Sequence, residues 1–248
     1  CARGRSIVSF AMPHVGAQVL LRLDLQDFFP SVPGARVQAM FRTLGYPETV
    51  ADLLGGICTN VVSAGVWDHR PLEISRPEWQ RARILYNRPH LPQGAPTSPA
   101  LANLIAYHLD CRLSGLAKAS GAQYTRYADD LAFSGGEEFN RAIQRFLTHA
   151  AAIAIEEGFA VNHHKTRIMR RGVRQQLAGI VVNQKAGLHR RDVELLEATL
   201  TNCVRSGPES QNRAGLADFH AHLEGRIGYL EMVDRIKGQR LRRLFQSI

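Results

Sequence analysis

Two adjacent acidic residues within a strand-turn-strand pattern constrain this chain more than any other feature. Asp129 and Asp130 lie between two short segments of apolar and aromatic character, residues 123–128 and 131–134. This pattern predicts a β-hairpin with the acids at or near its turn. Adjacent carboxylates in a tight turn repel each other, and a divalent cation would relieve the repulsion. Taken alone, the pair is also typical of a solvated turn. The other segments of the sequence are therefore needed to choose between a metal site and a simple turn.

A third acid ends an apolar run near the start of the chain. Residues 19–23 are mostly apolar, and Asp24 follows them, ahead of two phenylalanines and a proline. A short apolar run bounded by turn residues predicts a buried strand. A buried carboxylate such as Asp24 is costly unless it is paired or binds a metal ion.

A proline-rich segment forms the next constraint. Residues 91–99 contain three prolines and one glycine, which predict a rigid turn, and the apolar residues 100–109 predict a helix after it. In this order the three segments resemble the palm of a reverse transcriptase. Residues 162–166 are similar to the lysine-bearing motif of that family, and residues 177–183 to the hairpin that grips the primer end.

Within that family the likeness is to bacterial retron reverse transcriptases. Residues 4–7 and 11–14 are similar to the segment that those enzymes carry before the first carboxylate. Two positions depart from the pattern, since Phe10 stands where asparagine is usual and residues 177–179 replace Val-Thr-Gly with Leu-Ala-Gly. The sequence therefore predicts membership of the broad retron-like group, and it leaves open whether the chain is a true retron enzyme that uses its own noncoding RNA to make msDNA for antiviral defence.

The resemblance implies a two-metal polymerase site with two Mg²⁺ ions, for which Mn²⁺ can substitute. The implied catalytic residues and metal ligands are Asp24, Asp129 and Asp130, with the backbone carbonyl of Leu25 as a further ligand. The implied nucleotide-binding residues are Phe29, which selects deoxynucleotides, Gln93, Gly94 and Lys165. Without the resemblance, Phe29 is typical of a core aromatic residue and Lys165 of a surface lysine.

Charge and cysteine content agree with a nucleic-acid partner. The formal net charge of +9 favours binding to a polyanion, because lysine and arginine neutralise phosphates. The four cysteines have no zinc-finger spacing. No apolar run is long enough to span a membrane, so the default location is the cytoplasm. The basic residues of the last segment that we expect to contact nucleic acid are Lys237, Arg240, Arg242 and Arg243.

The predicted fold class is α+β, a reverse-transcriptase palm with an antiparallel sheet and packed helices, followed by an all-helical thumb. We expect the palm, with a remnant of its connection to the fingers, over residues 1–184 and the thumb over residues 185–248. Because the resemblance begins in mid-protein, we expect most of the fingers to be missing. Helical periodicity predicts helices over 37–44, 50–61 and 137–158. Short apolar runs predict strands over 159–161 and 177–183. The polar, proline-containing segment 63–89 is predicted to be mostly irregular.

The expected partners are an RNA template, a DNA or RNA primer and deoxynucleoside triphosphates, with no membrane. A cognate noncoding RNA and an effector protein stay open. The competing interpretations are an inactive fold that only binds RNA, an RNA-dependent RNA polymerase, and an enzyme of the group II intron type. The three acids argue against the first, and Phe29 argues against the second.

Overall fold

A computed structural model describes residues 4–248 and places one long strand at the centre of an antiparallel sheet. The strands of this sheet are β1 (Val19–Gln26), β2 (Ala122–Tyr127), β3 (Asp130–Gly135), β4 (Ala160–Val161) and β5 (Arg167–Arg170). The sheet order is β2-β3-β1-β4, and β5 also pairs with β1. A separate hairpin consists of β6 (Gln176–Leu177) and β7 (Ile180–Val181).

Ten α-helices surround or follow the sheet within the described residues. Those of the first part are α1 (Ile7–Ala11), α2 (Gly34–Thr43), α3 (Glu48–Cys58), α4 (Arg76–Tyr86), α5 (Ser98–Ile105), α6 (Tyr107–Ala119) and α7 (Glu137–Glu156). The last three are α8 (Arg190–Ser206), α9 (Phe219–Val233) and α10 (Arg235–Phe245). Short 3₁₀ helices occupy Met12–His14, Ala64–Trp67 and Pro208–Ser210.

The alternation of side chains along β1 separates the core from the functional face. Leu21, Leu23 and Leu25 are buried in one hydrophobic cluster with residues of α6 and α7. Since successive strand residues point to opposite faces, Arg22 and Asp24 lie on the other face of the sheet. On that face, Leu20 packs against apolar residues of α1 and of the β6–β7 hairpin. The sheet is thus covered on both sides, and Asp24 lies at the end of β1 on the second face.

The last three helices form a hydrophobic cluster of their own. Leu196 of α8, Leu223 and Ile227 of α9, and Leu241 of α10 are buried against one another. Their spacing of three and four residues along each helix produces the apolar stripe that packs inward. The α+β class and the all-helical C-terminal part are therefore confirmed. Within residues 4–248, none of the helices has the length and apolar character that crossing a bilayer requires.

Several predicted boundaries were wrong. The helix expected over residues 100–109 is two helices, because α5 ends at Ile105 and α6 begins at Tyr107. Helix α3 ends at Cys58, before the predicted end at residue 61. The strand β5 was not anticipated.

The segment 63–89 is also more ordered than its prolines suggested, since it contains the whole of α4. The Ser75 hydroxyl accepts the backbone N–H of Glu78, and the Glu78 carboxylate accepts that of Ser75. This capping box satisfies free backbone donors at the helix start.

Candidate active site

The β2–β3 hairpin carries the paired acids at its turn, as predicted. Tyr127 and Asp130 are the last paired residues, so Ala128 and Asp129 form the turn between them. Ala128 has a backbone φ of +53°, which is unusual for a residue with a Cβ. The carbonyl of Asp129 accepts a hydrogen bond of 2.9 Å from the backbone N–H of Leu25. This bond joins the turn to the end of β1, where Asp24 lies.

Asp24 is almost fully buried at the end of β1. Its position pairs with Asp130 across the β1–β3 ladder, so the two side chains share a face of the sheet. The Lys165 ammonium lies 3.4 Å from Asp24 Oδ2. The backbone N–H of Asn162 donates to the Asp24 carbonyl at 2.8 Å, which anchors the segment that carries Lys165. The structure thus brings together Asp24, Asp129, Asp130 and Lys165 from distant parts of the sequence.

The electrostatics of Asp129 reflect this crowding. Burial raises the pKa of its carboxyl group, and the negative charges of Asp130 and Asp24 raise it further, while Lys165 lowers it. A bound cation would have the opposite effect on the pKa, because it favours the charged form. The raised pKa therefore reflects the burial of Asp129 and its closeness to two other carboxylates.

Asp130 differs from the other two acids because an arginine engages it. Arg22 Nε donates to Asp130 Oδ1 at 2.8 Å, and Arg22 Nη2 lies 2.7 Å from the same oxygen in an ion pair. The negative charge of Asp130 is therefore largely compensated inside the protein. This arrangement favours Asp24 and Asp129 as the main ligands, with Asp130 as a weaker ligand or an orienting residue.

The donor set of the site fits Mg²⁺. Within residues 4–248, no group of three or more His, Cys, Asp and Glu side chains is placed to hold a metal ion by itself. Mg²⁺ does not need such a group, since one or two carboxylates suffice when water and substrate phosphates complete its shell. Asp24 and Asp129 supply hard oxygen donors of this kind. A site completed by a nucleotide agrees with the residues present.

The turn after β1 positions the two phenylalanines. Asp27 has a φ of +50°, its carbonyl accepts the N–H of Ser31 at 2.8 Å, and its carboxylate pairs with Arg81 Nε of α4 at 2.7 Å. Asp27 is thus a turn residue that an arginine engages. Phe28 is buried, and Phe29 is half-buried with its ring 5.4 Å from that of Phe28. Phe29 follows the same turn and packs partly against the main hydrophobic core.

Gln93 and Gly94 lie on an exposed loop. Gly94 has a φ of +89°, which glycine adopts without strain. The hydroxyl of Ser98 donates to the carbonyl of Pro92 at 2.7 Å and closes the loop at the start of α5. Leu91 before the loop is fully buried. The loop is therefore anchored at both ends, while the side chain of Gln93 stays open to solvent.

The basic residues of α10 are mostly engaged within the helical part. Lys237 lies 3.8 Å from Asp234, and Arg240 lies 2.7 Å from Glu197 of α8. Arg242 contacts Glu231 at 2.7 Å and Glu224 at 3.1 Å, both on α9. These pairs hold α10 against α8 and α9. Arg243 is exposed on the same helix.

Three residues near the site were given no role by the sequence. They are Arg22, which pairs with Asp130, Arg126, which contacts the turn carbonyl of Ala128, and His14, which bonds to Ser134 and Thr125. The signal that could have identified Arg22 and Arg126 is that each is a charged residue within a segment that was predicted to be a strand. For His14 the resemblance supplied the residue but not its contacts.

Comparison with known families identifies the family of the chain. Residues 2–197 match the family model described as "Reverse transcriptase (RNA-dependent DNA polymerase)". The chain therefore belongs to the reverse transcriptase family.

Among curated proteins, the chain is similar to the retron reverse transcriptases of two bacteria. It is 42% identical over 97% of its length to the Mx65 enzyme of Myxococcus xanthus, covering 52% of that protein. It is 35% identical over 95% of its length to the Mx162 enzyme of the same organism, covering 49%. It is 31% identical over 96% of its length to the Ec86 enzyme of Escherichia coli, covering 62%. The chain thus spans about half the length of the first two relatives, and the retron-like assignment is confirmed.

Proposed function

We propose that the protein is an RNA-directed DNA polymerase of the retron-like group, which extends a primer with deoxynucleotides on an RNA template. The 3′-hydroxyl of the primer attacks the α-phosphorus, an O–P bond forms, and the bond to the leaving pyrophosphate breaks. Bound Mg²⁺ would supply the positive charge that the attacking and leaving oxygens need. The observation that carries the proposal is the convergence of Asp24 and Asp129 at one hydrogen-bonded junction between β1 and the hairpin turn.

Each remaining residue has a role that follows from its place. Lys165 is held beside Asp24 with its ammonium group exposed, where it can neutralise the pyrophosphate charge or donate a proton to it. Phe29 projects from the turn after β1 and would crowd the 2′ position of a ribose. Gln93 and Gly94 would contact the incoming nucleotide and the template from their anchored loop.

The proposal includes a division of the chain into a palm over residues 1–184 and a thumb over residues 185–248. The exposed basic residues Lys237, Arg240 and Arg243 would follow the template–primer duplex, and Arg242 would support them. The same proposal includes a cognate noncoding RNA, synthesis of msDNA for antiviral defence, an effector protein and a cytoplasmic location. Its support is the similarity to retron enzymes.

Primer extension by the full-length protein with Mg²⁺ tests the proposal. Asp129→Asn keeps the shape of the side chain but removes the charge, and we expect synthesis to fall by at least about a hundredfold. The melting temperature should stay level or rise, because the substitution removes repulsion between carboxylates in the metal-free hairpin. Asp68→Asn, at an exposed position outside the site, is the matched control. Near-normal synthesis by Asp129→Asn would refute the assignment, and preference for ribonucleotides would indicate an RNA polymerase instead.

A further inference from the structure

A buried arginine lies against the catalytic turn. The side chain of Arg126, on β2, is only 7% exposed. Its guanidinium group donates to both carboxylate oxygens of Asp110 on α6, from Nε at 2.7 Å and from Nη2 at 2.6 Å. The remaining nitrogen, Nη1, donates to the side-chain oxygen of Asn103 on α5 at 3.0 Å and to the carbonyl of Ala128 at 3.1 Å. Arg126 therefore connects two helices of the palm to the turn that carries Asp129.

The orientation of this guanidinium group is fixed from several sides. The hydroxyl of Tyr124 donates to Asp110 Oδ1 at 2.7 Å, which holds the carboxylate in place. The ring of Phe28 lies 5.7 Å from the guanidinium carbon and closes one face of the group. A planar fork of donors with this many fixed partners cannot rotate without breaking several hydrogen bonds.

Stability alone is a weak reason for such a pair. Removing an arginine and a carboxylate from water costs free energy that the pair often only just regains, and apolar residues of similar volume can be as stable. A buried ion pair is better suited to specifying one geometry. The geometry that Arg126 specifies is that of the Ala128 carbonyl, which belongs to the peptide group just before Asp129.

Both peptide groups that flank Asp129 are held by hydrogen bonds from elsewhere in the palm. Arg126 fixes the group before it, and the N–H of Leu25 fixes the group after it, through the Asp129 carbonyl at 2.9 Å. With both peptide planes fixed, the backbone dihedrals of Asp129 and the direction of its Cβ are fixed too. The restraint is needed because Ala128 is held at a φ of +53°, a left-handed conformation that is unfavourable for a residue with a Cβ.

We propose that Arg126 is the positioning residue of the catalytic turn, which aims the carboxylate of Asp129 at the metal site beside Asp24. This inference rests on the proposed polymerase function. Arg126 touches neither the substrate nor the metal, and it acts through the backbone of Ala128. Asp110 acts in turn through Arg126, by holding its guanidinium group in the orientation that reaches the turn.

The test uses Arg126→Lys in the full-length protein. A lysine keeps the positive charge near Asp110, but its single ammonium group cannot also reproduce the fork that reaches the Ala128 carbonyl. The matched control is Arg112→Lys, since Arg112 lies on α6, the helix that carries Asp110, but pairs with Glu156 and Glu157 near the C-terminal end of α7 instead of with Asp110. Three quantities are measured: the melting temperature, the Mg²⁺ dependence of primer extension, and Mn²⁺ binding to the protein by electron paramagnetic resonance.

We expect Arg126→Lys to lower kcat by about a hundredfold, because a displacement of about 1 Å at a reacting group has an effect of that order. The Mg²⁺ concentration for half-maximal extension should rise and Mn²⁺ affinity should fall, whereas Arg112→Lys should change neither. Asp110→Asn should shift both quantities in the same direction by a smaller factor. If Arg126→Lys does not fold, Asp110→Asn is compared with Arg112→Lys in the same measurements.

A merely structural role gives a different result. Partial unfolding would lower the melting temperature and the active fraction, but it would leave the Mg²⁺ midpoint and the Mn²⁺ affinity of the folded protein unchanged. That result, or Arg126→Lys behaving like Arg112→Lys, would overturn the inference. A wild-type protein without DNA synthesis would instead refute the proposed function, and the Mn²⁺ comparison would still decide whether Arg126 positions Asp129.

Discussion

The fold should lose stability on mild acidification because of a single buried histidine, His14. This side chain is fully buried and lies 2.7 Å from both Ser134 Oγ and Thr125 Oγ1, on the two strands of the β2–β3 hairpin. Thr125 donates its own hydroxyl proton to the carbonyl of Phe10 at 2.9 Å. Its oxygen must therefore accept a proton from His14 Nε2, and His14 Nδ1 accepts one from Ser134. The neutral ring satisfies every donor and acceptor in this group.

Burial lowers the pKa of His14 from 6.5 to about 4. The unfolded chain therefore binds a proton that the folded protein rejects between these two values. The contribution of His14 to the free energy of unfolding is fully present above pH 6.5 and is lost as the pH falls towards 4. Each pH unit below the unfolded pKa lowers the free energy of unfolding by about 1.4 kcal/mol. Between pH 7 and pH 5 the loss is therefore about 2 kcal/mol, because it begins only below the unfolded pKa.

Denaturant melts at pH 7 and pH 5 measure this loss directly. His14→Gln should be less stable than wild type at pH 7, because the packing of the ring is lost, but its further loss at pH 5 should be smaller by about 2 kcal/mol. His164→Gln, at an exposed position, should retain the full wild-type pH dependence. If His14→Gln lost as much stability as wild type between the two pH values, the burial of a neutral imidazole could not be the cause.

The further predictions concern Asp130 of the hairpin and the two arginines Arg242 and Arg243 of α10. Asp130→Asn should reduce single-turnover primer extension much less than Asp129→Asn, because Arg22 already compensates the charge of Asp130; equal losses would contradict this difference in roles. Arg242→Met should lower the melting temperature, because it breaks the contacts to Glu231 that lower the pKa of that glutamate. Arg243→Met should leave the melting temperature unchanged and reduce the salt dependence of nucleic-acid binding by about one unit in the log–log slope. Identical behaviour of the two arginine variants would argue against this assignment.

Local pattern was enough to predict much of the palm. The apolar run before Asp24 became β1, the alternating segment around Asp129 became the β2–β3 hairpin, and the spacing over residues 137–158 became α7. These elements form where the sequence indicates because their periodicity and turn residues are local properties. The order of the motifs also predicted the family, which the family match confirms. Local signals that were present but unused include the capping box at Ser75, which begins α4.

Tertiary structure alone decided how the acids differ and what holds them. Arg22 reaches Asp130, Arg126 reaches Asp110 and His14 reaches Ser134 only after strands and helices that are distant in sequence have packed together. No spacing rule predicts such partners, because a side chain's neighbours across a sheet depend on strand order and register rather than on its own segment. The sequence by itself therefore indicated the three carboxylates that we propose for the site. Only the packed structure decided that Asp130 pairs with Arg22, whereas Asp129 lies at the hairpin turn that is bonded to the end of β1.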